Sequence, residues 1–157
     1  MINPTAQKVQ DVLQSLGCTC RVIEFTESTR TAQEAAERAG CELGQIVKSM
    51  IFQGGSSGKA ILVLTSGANR VNETLLGQHT GEPVRRAEAD FVRSTTGFAI
   101  GGVPPVGHAR PIETYLDEDL LRFPLVWAAA GTPNAIFEIS SQELLRITAA
   151  QVIKVNG

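Results

Sequence analysis

The chain has 157 residues, enough for one domain with a buried core, and 43% of them are hydrophobic. Its formal net charge of −2 argues against a broad nucleic-acid-binding surface. No apolar stretch is long enough to cross a bilayer, and the N-terminal residues do not resemble a secretion signal. We therefore expect a cytoplasmic protein whose cysteines, Cys18, Cys20 and Cys41, are reduced, with no membrane association, cofactor or metal site.

The predicted elements mix helices and strands without regular alternation. A first helix begins at Asn3 or Thr5 and ends at Gly17, and the capping box of Thr31 and Glu34 opens a second helix that ends at Gly40. The other helices are predicted over residues 72–79, 88–93 and 140–147. Strands are predicted over residues 20–25, 45–52, 60–64, 84–87, 98–100, 112–116, 125–130, 135–139 and 151–155, with a flexible glycine and serine turn over residues 54–58.

This order excludes a doubly wound parallel sheet, in which strands and helices alternate regularly. We expect a mixed α/β fold: a single domain over residues 1–157 in which a curved, barrel-like mixed sheet carries peripheral helices. Residues 117–119 (Asp-Glu-Asp) are predicted to begin a helix, because negative charge is favourable at a helix N-terminus.

Lys48 lies in the middle of the apolar strand predicted over residues 45–52. It shares a face with Ile46 and Met50, while Val47 and Ile51 line the opposite face, so neither face is polar. Burying an unpaired ammonium group is costly or lowers its pKa, which favours a use for the charge, such as holding a carbonyl-bearing or anionic ligand. The alternative is that Lys48 lies on an edge strand and extends its amine to water.

The middle of the chain is locally basic. Residues 43–110 contain seven basic and four acidic side chains, whereas the flanking segments are acidic. This part of the chain could present a positive patch on an otherwise acidic protein. The arginines proposed to contact a polyanion are Arg70, Arg85, Arg86 and Arg93.

Two loops are candidates for the walls of a pocket. Residues 101–108 (Gly-Gly-Val-Pro-Pro-Val-Gly-His) combine glycines, which permit close approach of a backbone, with prolines, which stiffen the chain. Residues 130–134 (Ala-Gly-Thr-Pro-Asn) offer a glycine and the side chains of Thr132 and Asn134. Either loop is also compatible with a plain turn, in which the glycines serve only the backbone.

The sequence lacks the standard catalytic motifs. It has no nucleophile elbow, phosphate-binding loop or H-E-x-x-H zinc motif, and no motif pairs its two histidines, His79 and His108, with a nucleophile. An enzyme built from these residues must therefore act by positioning and electrostatics.

Four ordered segments together resemble the YbaK/prolyl-tRNA-synthetase-associated editing domain family. They contain Lys48 in Ile-Val-Lys-Ser-Met-Ile-Phe, residues 93–98 (Arg-Ser-Thr-Thr-Gly-Phe), residues 101–107, and Gly131 in Ala-Ala-Gly-Thr-Pro-Asn. The resemblance spans essentially the whole chain. It implies hydrolysis, in trans, of the ester of a mischarged aminoacyl-tRNA, with a small amino acid on tRNA(Pro) or a related tRNA. It also implies that the substrate's own groups or a water make the attack.

The resemblance assigns Lys48 as the catalytic residue that places the ester. The substrate-binding positions proposed with it are Met50, Thr96, Gly101, Gly102, Val103, Pro104, Gly107, His108, Gly131, Thr132 and Asn134. The expected partners are aminoacyl-tRNA and a prolyl-tRNA synthetase. Two other functions stay open: a non-catalytic module that binds tRNA or a synthetase, and a hydrolase of other small aminoacyl esters. The identity of the amino acid is also open.

Overall fold

The computed structural model describes residues 2–157, which contain five α-helices, eight strands and two 3-10 helices. The α-helices are α1 (Pro4–Ser15), α2 (Ala32–Ala39), α3 (Glu73–Thr80), α4 (Ala89–Thr96) and α5 (Ser141–Thr148). The strands are β1 (Val22–Glu24), β2 (Ile46–Gly54), β3 (Ala60–Ser66), β4 (Val84–Arg86), β5 (Glu113–Asp117), β6 (Leu125–Ala129), β7 (Ala135–Ser140) and β8 (Gln151–Ile153). The 3-10 helices span Leu43–Gln45 and Glu118–Arg122.

All eight strands belong to one mixed sheet. Its order is β1-β7-β6-β2-β3-β5-β8, and β4 pairs with the far end of β2. The pairs β2/β6, β3/β5 and β5/β8 are parallel, and the others are antiparallel. The expected mixed α/β fold with a mixed sheet and peripheral helices is confirmed.

The predicted helix caps are present. Asn3 caps α1 by accepting from Thr5 N at 2.8 Å. The capping box of Thr31 and Glu34 begins α2, and Gly40 ends it in the left-handed conformation at φ 71°. Asn3 and Thr31 fix helix starts because they satisfy N–H groups that the first turn leaves free, whereas Gly40 ends α2 because it adopts the left-handed conformation and donates its N–H to Ala36 O.

Two predictions about local structure are wrong. Residues 98–100 do not form a strand: Phe98 N donates to Thr96 Oγ1, and Gly102 N donates to Ala99 O, so these residues form a tight turn after α4. The turn over residues 54–58 is present, but it is held by hydrogen bonds and is not the flexible turn that we expected. The carboxylate of Glu82 accepts from Ser56 N, Ser57 N and Ser57 Oγ at 2.8–2.9 Å, which fixes the turn to the loop before β4.

The sheet buries apolar side chains on both faces. Val47 and Ile51 of β2 belong to the main core, together with residues of α1 and α5 such as Leu13 and Leu144. On the opposite face, Ile46 packs under α2 in one small cluster. Phe52 belongs to another, next to α3, with Met50 at its margin. Since side chains alternate along a strand, Lys48 lies between these two small clusters.

Candidate active site

A cavity of about 340 Å³ lies where β2 and β6 separate. β2 pairs with β6 only at Ile46 and Val47 and with β4 only from Phe52 onward. Between these contacts, no strand within residues 2–157 pairs with this edge of β2. The cavity is lined by residues of β2, α2, β6, β7 and two loops: Thr29, Arg30, Thr31, Ala32, Ala35, Ile46, Val47, Lys48, Ser49, Met50, Ile100, Gly101, Val103, Trp127, Ala128, Ala129 and Ile136.

Lys48 brings a positive charge to this cavity. Its strand is internal in the sheet, between β6 and β3, so the edge-strand alternative is wrong, although the edge of β2 that faces the cavity is unpaired at Lys48 itself. Its side chain is half-buried, and Nζ donates to the backbone oxygen of Asn69 at 2.8 Å. Burial is the main cause that lowers the pKa of Lys48, and the charges of Arg70 and Arg86 lower it further, whereas Asp117 raises it. Lys48 forms no salt bridge within the described residues.

The buried carboxylate of Asp117 bonds to the loop that contains Asn69, the residue whose backbone oxygen accepts from Lys48. Asp117, at the end of β5, is fully buried and accepts from Ser66 N at 3.0 Å and from Asn69 Nδ2 at 2.8 Å. Asp119 accepts a second bond from Asn69 Nδ2, also at 2.8 Å. The expected cap is present as well, because Asp117 Oδ1 accepts from Asp119 N and begins a 3-10 helix.

This second role of Asp117 was not found from the sequence. The role depends on the parallel pairing of β3 with β5, which brings the C-terminal ends of both strands to one edge of the sheet. A prediction of this pairing would have placed Asp117 near Ser66.

The glycines of the first loop have different environments. Gly101 lines the cavity at φ 94°, and a Cβ there would lie 2.6 Å from Cγ of Arg30, so glycine lets the Arg30 side chain lie across the loop. Gly102 is buried and does not line the cavity. Its oxygen accepts from Gly131 N at 2.8 Å, and a Cβ there would lie 3.0 Å from the Gly131 carbonyl. The two loops therefore join through their backbones.

Other proposed pocket residues lie behind this junction. Gly131 has φ 95°, and a Cβ there would meet Phe98, Thr5 and Val9 at 3.1–3.2 Å. Thr132 Oγ1 donates to Asn134 Oδ1 at 3.0 Å, and Asn134 Nδ2 donates to Phe25 O at 2.7 Å. These groups bond to the protein itself and lie outside the lining of the cavity.

The end of the first loop is also internally bonded. His108 Nε2 lies 2.7 Å from Pro104 O, and burial lowers the pKa of this imidazole. Gly107, at φ 83°, turns the chain next to Val12. Thr96 Oγ1 donates to Val92 O at 2.7 Å within α4. Of the proposed substrate-binding positions, the cavity brings together Met50, Gly101 and Val103 with Lys48.

The four arginines divide into two kinds. Arg70 and Arg86 are exposed and lie near enough to Lys48 to lower its pKa, and Arg86 shares its sheet face because it pairs with Phe52. Arg85 points to the opposite face and donates to Gln53 Oε1 at 3.2 Å. Arg93 is exposed on α4. The positive surface at the cavity therefore comes from Arg30 and Lys48, which line it, and from Arg70 and Arg86 near Lys48.

Several classes of site are absent from residues 2–157. No group of three or more histidine, cysteine or acidic side chains is placed to hold a metal ion. No helix in this part of the chain is long and apolar enough to span a membrane. The cavity lining contains no histidine, cysteine or carboxylate side chain, so its charged groups are Arg30 and Lys48.

The sequence is similar to that of a known protein family and of several known proteins. The aminoacyl-tRNA editing domain family matches residues 26–147. The protein YwhH of Bacillus subtilis is 35% identical over 131 residues, which cover 83% of each chain. The candidate Cys-tRNA(Pro)/Cys-tRNA(Cys) deacylase EbsC of Enterococcus faecalis is 24% identical over 83% of this chain and 80% of its own.

A solved structure extends the likeness to the whole fold. The crystal structure of a candidate trans-editing enzyme for prolyl-tRNA synthetase superposes with a TM-score of 0.94 at 49% identity, covering 100% of this chain and 99% of the other. The resemblance drawn from the four sequence segments is thereby confirmed. The chain belongs to the aminoacyl-tRNA editing domain family.

Proposed function

We propose that this protein is a trans-acting deacylase that hydrolyses the ester between a small amino acid and the 3′ end of a mischarged tRNA, with tRNA(Pro) as its first candidate substrate. The observation that carries the proposal is the position of Lys48: a half-buried amine without a salt bridge, at a small cavity, anchored by the Asn69 backbone. The similarity to EbsC and to the candidate trans-editing enzyme supports the same reaction class.

Lys48 acts on the ester carbonyl. A fixed cation in a half-buried site stabilises negative charge more strongly than one in water, and its Asn69 contact limits reorientation. When a water attacks the carbonyl carbon, charge develops on the carbonyl oxygen and Lys48 stabilises it. The bond to the ribose oxygen then breaks, and that oxygen takes a proton. After water attack, the products are the free amino acid and a tRNA with its terminal hydroxyl restored. Attack by the neighbouring hydroxyl of the terminal ribose only transfers the acyl group to that hydroxyl, and a water must still attack to release the amino acid.

The cavity favours a small amino acid. Its volume of about 340 Å³ is at the lower end of the range for ligand sites, roughly 300–1,000 Å³, and it must also admit part of the ribose. Alanines contributed by α2 and β6, such as Ala35 and Ala128, lie among its walls. Such a pocket selects by size, with a discrimination of about 1–3 kcal/mol per methylene group.

The nucleic acid approaches from the exposed side of Lys48. Arg70 and Arg86 lie there, and their charges can neutralise phosphates near the 3′ end. With a net charge of −2 over the chain, few further phosphates can be neutralised. We therefore infer weak, salt-sensitive binding.

The experiment that tests the proposal is a deacylation panel. tRNA(Pro) and other tRNAs are charged with Cys, Ala, Ser, Thr, Pro, Leu or Phe, and release of the amino acid is followed for wild-type protein and Lys48→Ala. We expect release of small amino acids by the wild type only. Binding of these tRNAs without release of any amino acid would instead support a non-catalytic module. Equal release from tRNA and from short aminoacyl-nucleotides would support a general aminoacyl-ester hydrolase.

A further inference from the structure

β2 leaves part of its backbone unpaired at the cavity. The N–H and C=O groups of successive strand residues point alternately to the two neighbouring strands. The oxygen of Ile46 accepts from Gly67 N, just after β3, at 2.7 Å, and the oxygen of Ile51 accepts from Ala87 N, just after β4, at 3.0 Å. Even-numbered residues of β2 therefore direct these groups to β3, and odd-numbered residues direct them to the edge that β6 and β4 share.

Ser49 lies on this shared edge, between the two contacts. Val47 pairs with β6, and Ile51 bonds through its oxygen to the chain after β4, but neither strand pairs with Ser49. No turn or loop backbone within residues 2–157 bonds to Ser49 on that side either. Its Oγ is buried, yet Ser49 as a whole is partly exposed and lines the cavity, so its accessible surface comes from the backbone and Cβ. Because unpaired backbone groups at a partly buried site cost free energy, this N–H and C=O call for a ligand that bonds to both.

An aminoacyl ester carries the two groups that match this edge, an amine that donates and, one carbon away, a carbonyl that accepts. Two opposite residues of an antiparallel pair exchange the same two N–H···O bonds. Resting on the proposed function, we propose that the backbone of Ser49 is the recognition site for the aminoacyl group: its oxygen accepts from the α-amino group, and its N–H donates to the ester carbonyl oxygen. The substrate then takes the place of one residue of an added strand, as extended peptides do at a sheet edge.

This pairing also sets the direction of the substrate's side chain. Side chains of directly opposite residues in an antiparallel pair lie on the same face of the sheet. The side chain of an L-amino acid therefore lies on the face of Ser49, opposite to the face of Lys48. Val103 and Ala128 line the cavity and belong to the main core on that face, together with Val47. Walls that are fixed in the core agree with a pocket for a small side chain.

The first experiment removes the N–H of residue 49 and keeps the serine side chain. The residue is replaced by the α-hydroxy acid counterpart of serine, so that a backbone ester oxygen takes the place of the N–H group. On a tRNA acceptor-stem minihelix esterified with alanine, we expect kcat/KM to fall roughly tenfold or more, the effect of one lost hydrogen bond. Ser49→Ala keeps the backbone and should stay close to wild type. Wild-type turnover by the backbone ester, or an equal loss in Ser49→Ala, would overturn the proposal.

A matched control makes the same replacement at an edge outside the cavity. Within the described part of the chain, β1 pairs only with β7, and Phe25 N donates to Asn134 O just before β7, so by alternation the N–H of Glu24 points away from β7. In both variants the ester weakens the preceding carbonyl, which faces a paired strand, so both should lower the thermal midpoint slightly and equally. The backbone ester at Glu24 should keep wild-type kcat/KM. A much lower midpoint at residue 49 alone would show a structural role of that N–H and overturn the proposal.

Binding separates this inference from the deacylase proposal. The probes are adenosine analogues whose 3′ position carries an L-alanyl or a propionyl group through a stable amide, and the propionyl group lacks only the amine. We expect wild type and Ser49→Ala to prefer the alanyl probe roughly tenfold. The backbone ester at residue 49 should bind both probes more weakly by the same factor, because it loses only the bond to the carbonyl oxygen. This result supports the inference even if no ester is hydrolysed. If the wild type binds both probes equally, the inference is overturned, and any measured deacylation still stands.

Discussion

The Lys48 region and the paired loops differ in how their polar groups are used. At the cavity, Lys48 has a single backbone acceptor and no carboxylate partner within residues 2–157. In the loops, Thr132, Asn134 and His108 bond to the protein itself. A group that the fold has already satisfied has less to offer a ligand than one it leaves free. The contrast suggests that the first region acts on the substrate and the second holds the first in place.

The largest effect should come from Lys48→Ala. We expect a loss of roughly 100-fold or more in kcat, the effect of removing one group that stabilises a developing oxyanion. The thermal midpoint should stay near wild type, because no salt bridge is lost. The matched control is Lys59→Ala on the same hairpin, whose amine bonds to Glu113 at 3.0 Å on the surface and whose loss should leave kcat unchanged. Near-normal turnover by Lys48→Ala would show that the Lys48 region does not act on the substrate.

Gly131→Ala tests whether the loops are structural. Gly131 and Gly81 both have positive φ, 95° and 83°, but a Cβ at Gly131 would press on Phe98, Thr5 and Val9, while one at Gly81 meets nothing within 4 Å. Gly81→Ala should cost about 1–2 kcal/mol from the backbone alone. Gly131→Ala should cost about 1–3 kcal/mol more through overpacking. Denaturant unfolding measures both, and equal losses would show that the Gly131 packing is unimportant.

Asp117→Asn tests how the fold supports Lys48. The neutral amide is a weaker acceptor for Ser66 N and for Asn69 Nδ2, so we expect a loss of about 1–3 kcal/mol in stability. Because the charge of Asp117 raises the pKa of Lys48, its removal should shift the alkaline limb of the pH–rate profile to lower pH. A merely structural carboxylate would lower stability without moving this limb.

Sequence reasoning located most of the fold because its signals are local. The caps at Asn3 and Thr31 and the alternation around Lys48 each depend on a few neighbouring residues. The failed strand at residues 98–100 has apolar residues typical of a strand, but the Thr96 hydroxyl takes the N–H of Phe98, which starts a turn. The pattern of apolar residues gives no information on a side chain that competes for a backbone N–H group.

The candidate site was predictable at Lys48 and less so elsewhere. An ammonium group in an apolar strand is unusual by itself, so one residue carried the signal. The cavity contacts of Arg30 and Trp127 depend on how β2 separates from β6, which is a tertiary property. The bond from Asn69 to Asp117 joins residues 48 positions apart, and only the parallel pairing of β3 with β5 explains it.

A smaller effect is expected on tRNA binding. Arg70→Gln and Arg86→Gln should each reduce the slope of log affinity against log salt by about 0.7, the value for one contact to a single strand. Arg85→Gln is the control, since Arg85 points to the other face and bonds to Gln53. Removing either of the first two charges should also raise the pKa of Lys48. An unchanged slope in Arg70→Gln and Arg86→Gln would place the nucleic acid on another surface.

The smallest effect concerns His108 and the pH dependence of stability. Burial lowers the pKa of the folded-state imidazole below its ordinary value of 6.5, so the unfolded chain binds the proton more readily. The contribution of His108 to stability is therefore complete above pH 6.5 and is lost as the pH falls toward the folded-state pKa. His108→Gln keeps an amide donor for Pro104 O but cannot take up this proton. On acidification, the thermal midpoint of wild type should fall more than that of His108→Gln. Deacylation by the variant at neutral pH should stay close to wild type. A strong loss of kcat in His108→Gln would show that His108 takes part in the reaction and does not only support the loop.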